Sequence, residues 1–113
     1  MRLLDKRCQP CEGGTPPLGS EEADFLLSDQ VPAWQRDGKW IQRDLVFKDF
    51  KTAVAFVRDV ADMAEDEGHH PDILIHGYKH VRLRLQTHAA GGLTENDFIL
   101  AAKLERLHGQ RYA

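Results

Sequence analysis

The stretch DFKTAVAFVRDVADMAEDEG, Asp49 to Gly68, constrains the fold more than any other part of the chain. Phe50, Val54, Val57, Ala61 and Ala64 recur at spacings of four and three, which predicts one apolar stripe along a helix of about five turns. Asp49 is suited to cap its start, and Gly68 stands where a helix commonly ends in a left-handed residue. Pro71 then keeps the chain extended. A helix with one apolar face needs a partner layer, and strand-like segments flank it on both sides.

On the N-terminal side, AWQRDGKWIQRDLVF predicts a hairpin turning at Asp37-Gly38, with Ile41, Arg43, Leu45 and Phe47 on one face of its second strand. On the C-terminal side, DILIH and VRLRLQT predict a second ribbon joined by GYKH. Val81, Leu83 and Leu85 point inward there, and Arg82, Arg84 and Gln86 outward. Ser20 is placed to cap a short helix running to about Gln30, with Glu21 and Glu22 at its positive end. Thr94 opens a last helix in a T-x-x-D pattern, with Phe98, Ala101, Leu104 and Leu107 as its buried side. The expected fold is α+β in the order α-β-β-α-β-β-α: a four-stranded antiparallel sheet with three helices on one face. A chain of 113 residues holds one such domain, here residues 20–113, behind an irregular Gly- and Pro-rich arm, residues 1–19.

The formal charge of −3 argues against nucleic acid as a partner, because phosphate binding needs a basic surface. No apolar run reaches the roughly 18–20 residues of a membrane span, and MRLLDKRCQPC lacks the apolar core of a signal peptide. A cytoplasmic location is expected. Cys8 and Cys11 form a lone C-x-x-C, read as two reduced thiols in a flexible arm; His69 and His70 are the residues that would have to complete a zinc site with them.

EGHHPD, Glu67 to Asp72, sets two imidazoles at the corner between helix and strand. The third and fourth strands pair antiparallel, so the start of one lies beside the end of the other. That pairing brings His69 and His70 close to His88. Three imidazoles invite a metal, but adjacent residues at a strand entry point to opposite faces, so no metal is expected. Acid/base work fits better, since imidazole donates and accepts protons near neutrality. Plainer readings stand beside this one. Asp97 is accounted for as the partner of Thr94 in a capping box. Trp34 and Tyr78 read as core or hairpin residues, with a pocket role as the alternative. Glu65, Asp66 and Glu67 crowd the negative end of a helix, a local rule broken without a local gain.

Glu65, three residues, His69-His70-Pro71, six residues, Tyr78, nine residues, His88, eight residues and Asp97 resemble the signature of the pterin-4a-carbinolamine dehydratases. FKDFKTAVAFVRDVADMAE and THAAGGLTENDFILAAKLE are similar to that family too, over about Leu27 to Leu107. The resemblance implies the same sheet and helices. It also implies dehydration of a 4a-hydroxytetrahydropterin to the quinonoid dihydropterin without metal or cofactor, in tetrahydropterin recycling. By the same resemblance His69 and His88 are the acid/base pair and His70 holds the pterin. Pro71 fixes the corner, Asp97 orients a histidine and Glu65 polarises the site. Gln86 and Thr87 offer backbone groups to the pterin edge, and Trp34 is the remaining substrate-binding candidate. Members of the family form dimers or tetramers and serve pterin-dependent hydroxylases. Related proteins act as dimerisation cofactors of a transcription factor or as Rubisco assembly factors, which is the alternative reading for this chain.

Overall fold

A computed structural model describes residues 2–10 and 15–113. Its elements are α1 (Ser20–Gln30), β1 (Gln35–Asp37), β2 (Trp40–Val46), α2 (Phe50–Glu67), β3 (Asp72–His76), β4 (His80–Leu85) and α3 (Glu95–Arg111), the expected order. The strands form one antiparallel sheet, β1-β2-β4-β3, so β4 runs down the middle between β2 and β3. Ile41, Leu45, Val81, Leu83 and Leu85 are buried on the helix-covered face, while Asp44 and Leu74 are exposed on the other. Alternation of this kind fixes the register, because a slip of one residue would turn every buried side chain outward.

Three local expectations are corrected. The two-residue loop of the first hairpin is Gly38-Lys39, since Asp37 pairs with Trp40; Gly38 takes φ 59 at its first position, where a Cβ would be strained. Gly19, not Ser20, is the N-cap of α1, and the Ser20 hydroxyl instead accepts from Arg36 Nη2 at 3.1 Å. The buried stripe of α2 is Ala53, Phe56, Val60, Ala64 and Glu67, rotated from the expected one, and Phe50 is 54 % exposed. The Phe56 ring accounts for the rotation. It packs 5.0 Å from Phe47 and 5.2 Å from Tyr112, and burying such a ring contributes about 1.5–3 kcal/mol. Val54 and Val57 are left half-buried at the flank.

The ends of α2 and α3 are as read. Asp49 Oδ1 accepts from the Thr52 N–H at 2.7 Å, Gly68 ends α2 at φ 66, and Thr94 with Asp97 forms the capping box of α3. The arm differs. Leu3 is buried in a short 3-10 turn, Leu3–Asp5, that packs on α3, and residues 7–9 are hydrogen-bonded to α2 and α3. The described part of the arm is therefore a packed element, because an apolar anchor and buried acceptors await it. Cys11 lies outside the described residues.

Candidate active site

The αL turn at Gly68 steers the chain off α2: the Gly68 N–H reaches Glu65 O at 3.3 Å and the His69 N–H reaches Ala64 O at 3.2 Å. His69 and His70 thus leave the helix at a fixed angle and meet the far end of β4. The Asp72–Arg84 pairing sets how far β3 extends alongside β4, and beyond it Gln86, Thr87 and His88 face the histidine corner. A cavity of about 270 Å³ is lined there by Gly68, His69, His70, Gln86, Thr87 and His88. Gln9, Pro10, Ala89 and Asn96 complete it. A larger hollow of about 480 Å³ between the arm, α1 and α3 is lined by residues of both charges, such as Asp29 and Arg106, and by no histidine.

The two adjacent histidines have different surroundings. His69 Nε2 lies 2.6 Å from Asp97 Oδ1, with side-chain exposures of 13 % and 0 %. Asp97 Oδ2 accepts from the Thr94 N–H at 2.9 Å and from the Thr87 hydroxyl at 2.8 Å. One carboxylate therefore caps α3 with one oxygen and holds His69 with the other. A carboxylate only accepts, so Nε2 donates and Nδ1 is left as the nitrogen able to exchange a proton. His70 Nε2 lies 2.6 Å from Glu65 Oε2, but that pair is exposed, 61 % and 78 %, where solvent screens it to little net energy. His88 is exposed, with Nδ1 3.2 Å from Gln86 Nε2 and its ring edge-on to Trp40 at 5.9 Å.

The remaining expected residues fall in different places. Pro71 sits at the corner next to β3. Thr87 is buried at the cavity wall, and its N–H and C=O are engaged by Gly92 and Ala90 inside the turn. Trp34 is 1 % exposed in the core and does not line the cavity, and that burial corrects its place among substrate-binding residues. Tyr78 is an exposed hairpin residue at φ 55. The arm residues Gln9 and Pro10 and the helix residue Asn96 escaped the sequence reading. Their only signal was the acidic run at the end of α2, which the arm answers. Arg7 Nη1 pairs with Asp66 at 3.2 Å, and the Cys8 N–H donates to Glu67 Oε1 at 2.9 Å.

A model of the family described as pterin 4 alpha carbinolamine dehydratase matches residues 16–107. The chain belongs to the pterin-4a-carbinolamine dehydratase family. A family relative from Dechloromonas aromatica, provisionally named as a dehydratase of this kind, is 49 % identical over 93 % of this chain and 92 % of its own. One from Halorhodospira halophila, named in the same way, is 48 % identical over 95 % and 98 %. Among solved dehydratase-like structures, a transcriptional coactivator/pterin dehydratase from Brucella melitensis superposes with a TM-score of 0.73 at 33 % identity, covering 80 % of this chain and 97 % of that one. A pterin dehydratase-like protein described as a RuBisCO assembly factor in the alpha-carboxysome gives 0.54 at 25 %, covering 67 % and 87 %.

Proposed function

We propose that this family member dehydrates 4a-hydroxytetrahydropterin to the quinonoid dihydropterin, in tetrahydropterin recycling, by histidine acid/base catalysis. The observation that carries the reading is that His69, held 2.6 Å from the buried Asp97, lines the same cavity as His88. In the reaction the C4a–O bond breaks and its oxygen leaves as water, while the neighbouring ring nitrogen loses its proton. Hydroxide is a poor leaving group, so one imidazole must deliver a proton to the oxygen as another base removes the ring proton. His69 and His88, reaching the cavity from opposite strand ends, supply these two steps. His70 binds and orients the pterin, with Glu65 beside it. Nothing in the step calls for a redox change.

Separate His69→Ala and His88→Ala variants, followed by stopped-flow absorbance, should each dehydrate the carbinolamine about 10²–10⁴-fold more slowly with the fold intact. Unchanged rates in both would sink the assignment. A second reading, an assembly or interaction factor that keeps the site, draws its support from the alpha-carboxysome neighbour. It predicts a stable complex with Rubisco subunits and a dehydration rate no faster than buffer.

A further inference from the structure

Glu65, Asp66 and Glu67 crowd the C-terminal end of α2. Carboxylates there face the negative end of the helix dipole, so each needs a partner. Glu65 turns to His70, Asp66 to Arg7, and Glu67 is buried with Lys103, Oε2 to Nζ 2.7 Å, at side-chain exposures of 2 % and 9 %. A buried ion pair holds its place only when its remaining acceptors are also satisfied. The other oxygen, Oε1, is satisfied by the backbone N–H of Cys8. Burial pushes the Glu67 carboxyl up, but the bonds from Lys103 and Cys8 outweigh it and hold the group below the usual carboxylate range.

One residue further along, the arm is gripped again. The Gln9 N–H donates to Asn96 Oδ1 at 2.9 Å, and Asn96 Nδ2 donates back to Gln9 O at 2.6 Å. A side-chain amide thus reads the arm's backbone as a neighbouring strand would. The two grips sit next to the catalytic corner in sequence. Glu67 precedes Gly68 and the histidine pair, and Asn96 precedes Asp97. The first grip holds Cys8 and the second holds Gln9; Gln9 and the adjoining Pro10 are exposed and line the cavity.

We infer that Arg7–Pro10 is a strap that completes the wall of the histidine cavity and sets how tightly a flat heterocycle is held. Gln9 and Pro10 touch the ligand, and Asn96 is the positioning residue that fixes them. The inference rests on the dehydratase reading for the identity of the ligand.

The test uses the full chain with Cys11→Ser, so that Cys8 alone reports on the strap. Cys8 donates to Asn96 O at 3.5 Å, and burial first, then Glu67, pushes its thiol up to about 12. Three readouts are taken: the Kd of dihydrobiopterin, KM and kcat for the carbinolamine, and the rate of Cys8 alkylation. Asn96→Ala removes both side-chain bonds to the Gln9 backbone. It should raise Kd and KM about three- to tenfold with kcat within about twofold, and should speed alkylation. Gln9→Ala/Pro10→Ala keeps the Cys8 and Gln9 backbone grips and trims exposed side chains, with the Gln9 Nε2 bond to Arg7 O at 3.3 Å lost as well, so it keeps the question answerable should Asn96→Ala not fold. It should raise Kd and KM with alkylation unchanged. Wild-type Kd and KM in both variants, with Cys8 freed in Asn96→Ala, would overturn the strap's part in recognition and leave the catalytic reading standing. A wild-type protein that neither binds dihydrobiopterin nor dehydrates the carbinolamine would overturn the catalytic reading and the ligand together.

Discussion

Asp97→Asn separates the two jobs of the buried carboxylate. Oδ2 carries the structural load, accepting from the Thr94 N–H at 2.9 Å and the Thr87 hydroxyl at 2.8 Å, while Oδ1 faces His69 Nε2 at 2.6 Å. An asparagine fits the same space with its carbonyl oxygen at the Oδ2 place, keeping both structural bonds. Its NH₂ then faces His69, and since it donates, Nε2 must accept and the proton moves to Nδ1. The ring keeps its position and loses the tautomer that leaves Nδ1 basic. Tautomer reversal in an Asp–His pair removes most of the acid/base contribution, so kcat should fall about 10²–10⁴-fold. The stability cost is a charge-assisted bond replaced by a neutral one, about 1 kcal/mol, or about 3–6 °C in Tm. Asp97→Ala should instead cost about 2–4 kcal/mol, because the cap and the Thr87 acceptor go as well. Stopped-flow dehydration and thermal unfolding of the same samples decide the matter. If Asp97→Asn keeps kcat within about threefold while losing stability, Asp97 is only a cap and the His69 argument fails.

His70→Ala should raise KM with kcat nearly kept, the opposite split from His69→Ala, and steady-state kinetics on both variants checks it. Lys103→Met strips the buried Glu67 carboxylate of its 2.7 Å partner and leaves only the exposed Arg7 guanidinium at 3.5 Å, so it should cost up to about 3 kcal/mol by urea denaturation; Glu67→Gln/Lys103→Met, which removes both buried charges, should recover most of it. Burial against Phe47 and Phe56 pushes the His108 imidazole down, with Glu105 opposing and Arg43 adding to the shift. The unfolded chain then binds the extra proton first, so His108's contribution is complete above the ordinary imidazole range and is lost as pH falls through it toward the lowered folded value. His108→Gln should flatten the pH dependence of unfolding free energy on the acid side of neutrality, and an unchanged slope would refute the assignment.

Periodicity carried most of the fold because α+β layers obey local rules: alternation in β4, caps at Asp49, Thr94 and Gly68, and turn glycine at Gly38. It erred where tertiary packing chooses between two local solutions. α2 carries two apolar stripes, and the choice of Phe56 over Phe50 depends on Phe47 and Tyr112, which are distant in sequence. The convergence of His69, His70 and His88 was legible because antiparallel pairing is a geometric rule. That Asp97 both caps a helix and holds His69 was visible only as two competing explanations, since a sequence does not show that a carboxylate can spend its two oxygens separately. The arm was illegible for a related reason. The charges at the end of α2 marked a need for partners, and those partners lay about 59 residues away in a segment without periodicity.

The most direct test of the account is the rate at which the wild-type chain dehydrates 4a-hydroxytetrahydropterin in a stopped-flow cell, set against buffer and against His69→Ala/His88→Ala. The wild type should dehydrate the carbinolamine rapidly without added metal or cofactor, and the double variant should lose at least about 10²-fold. A wild-type rate equal to buffer, or a double variant as fast as the wild type, would contradict it.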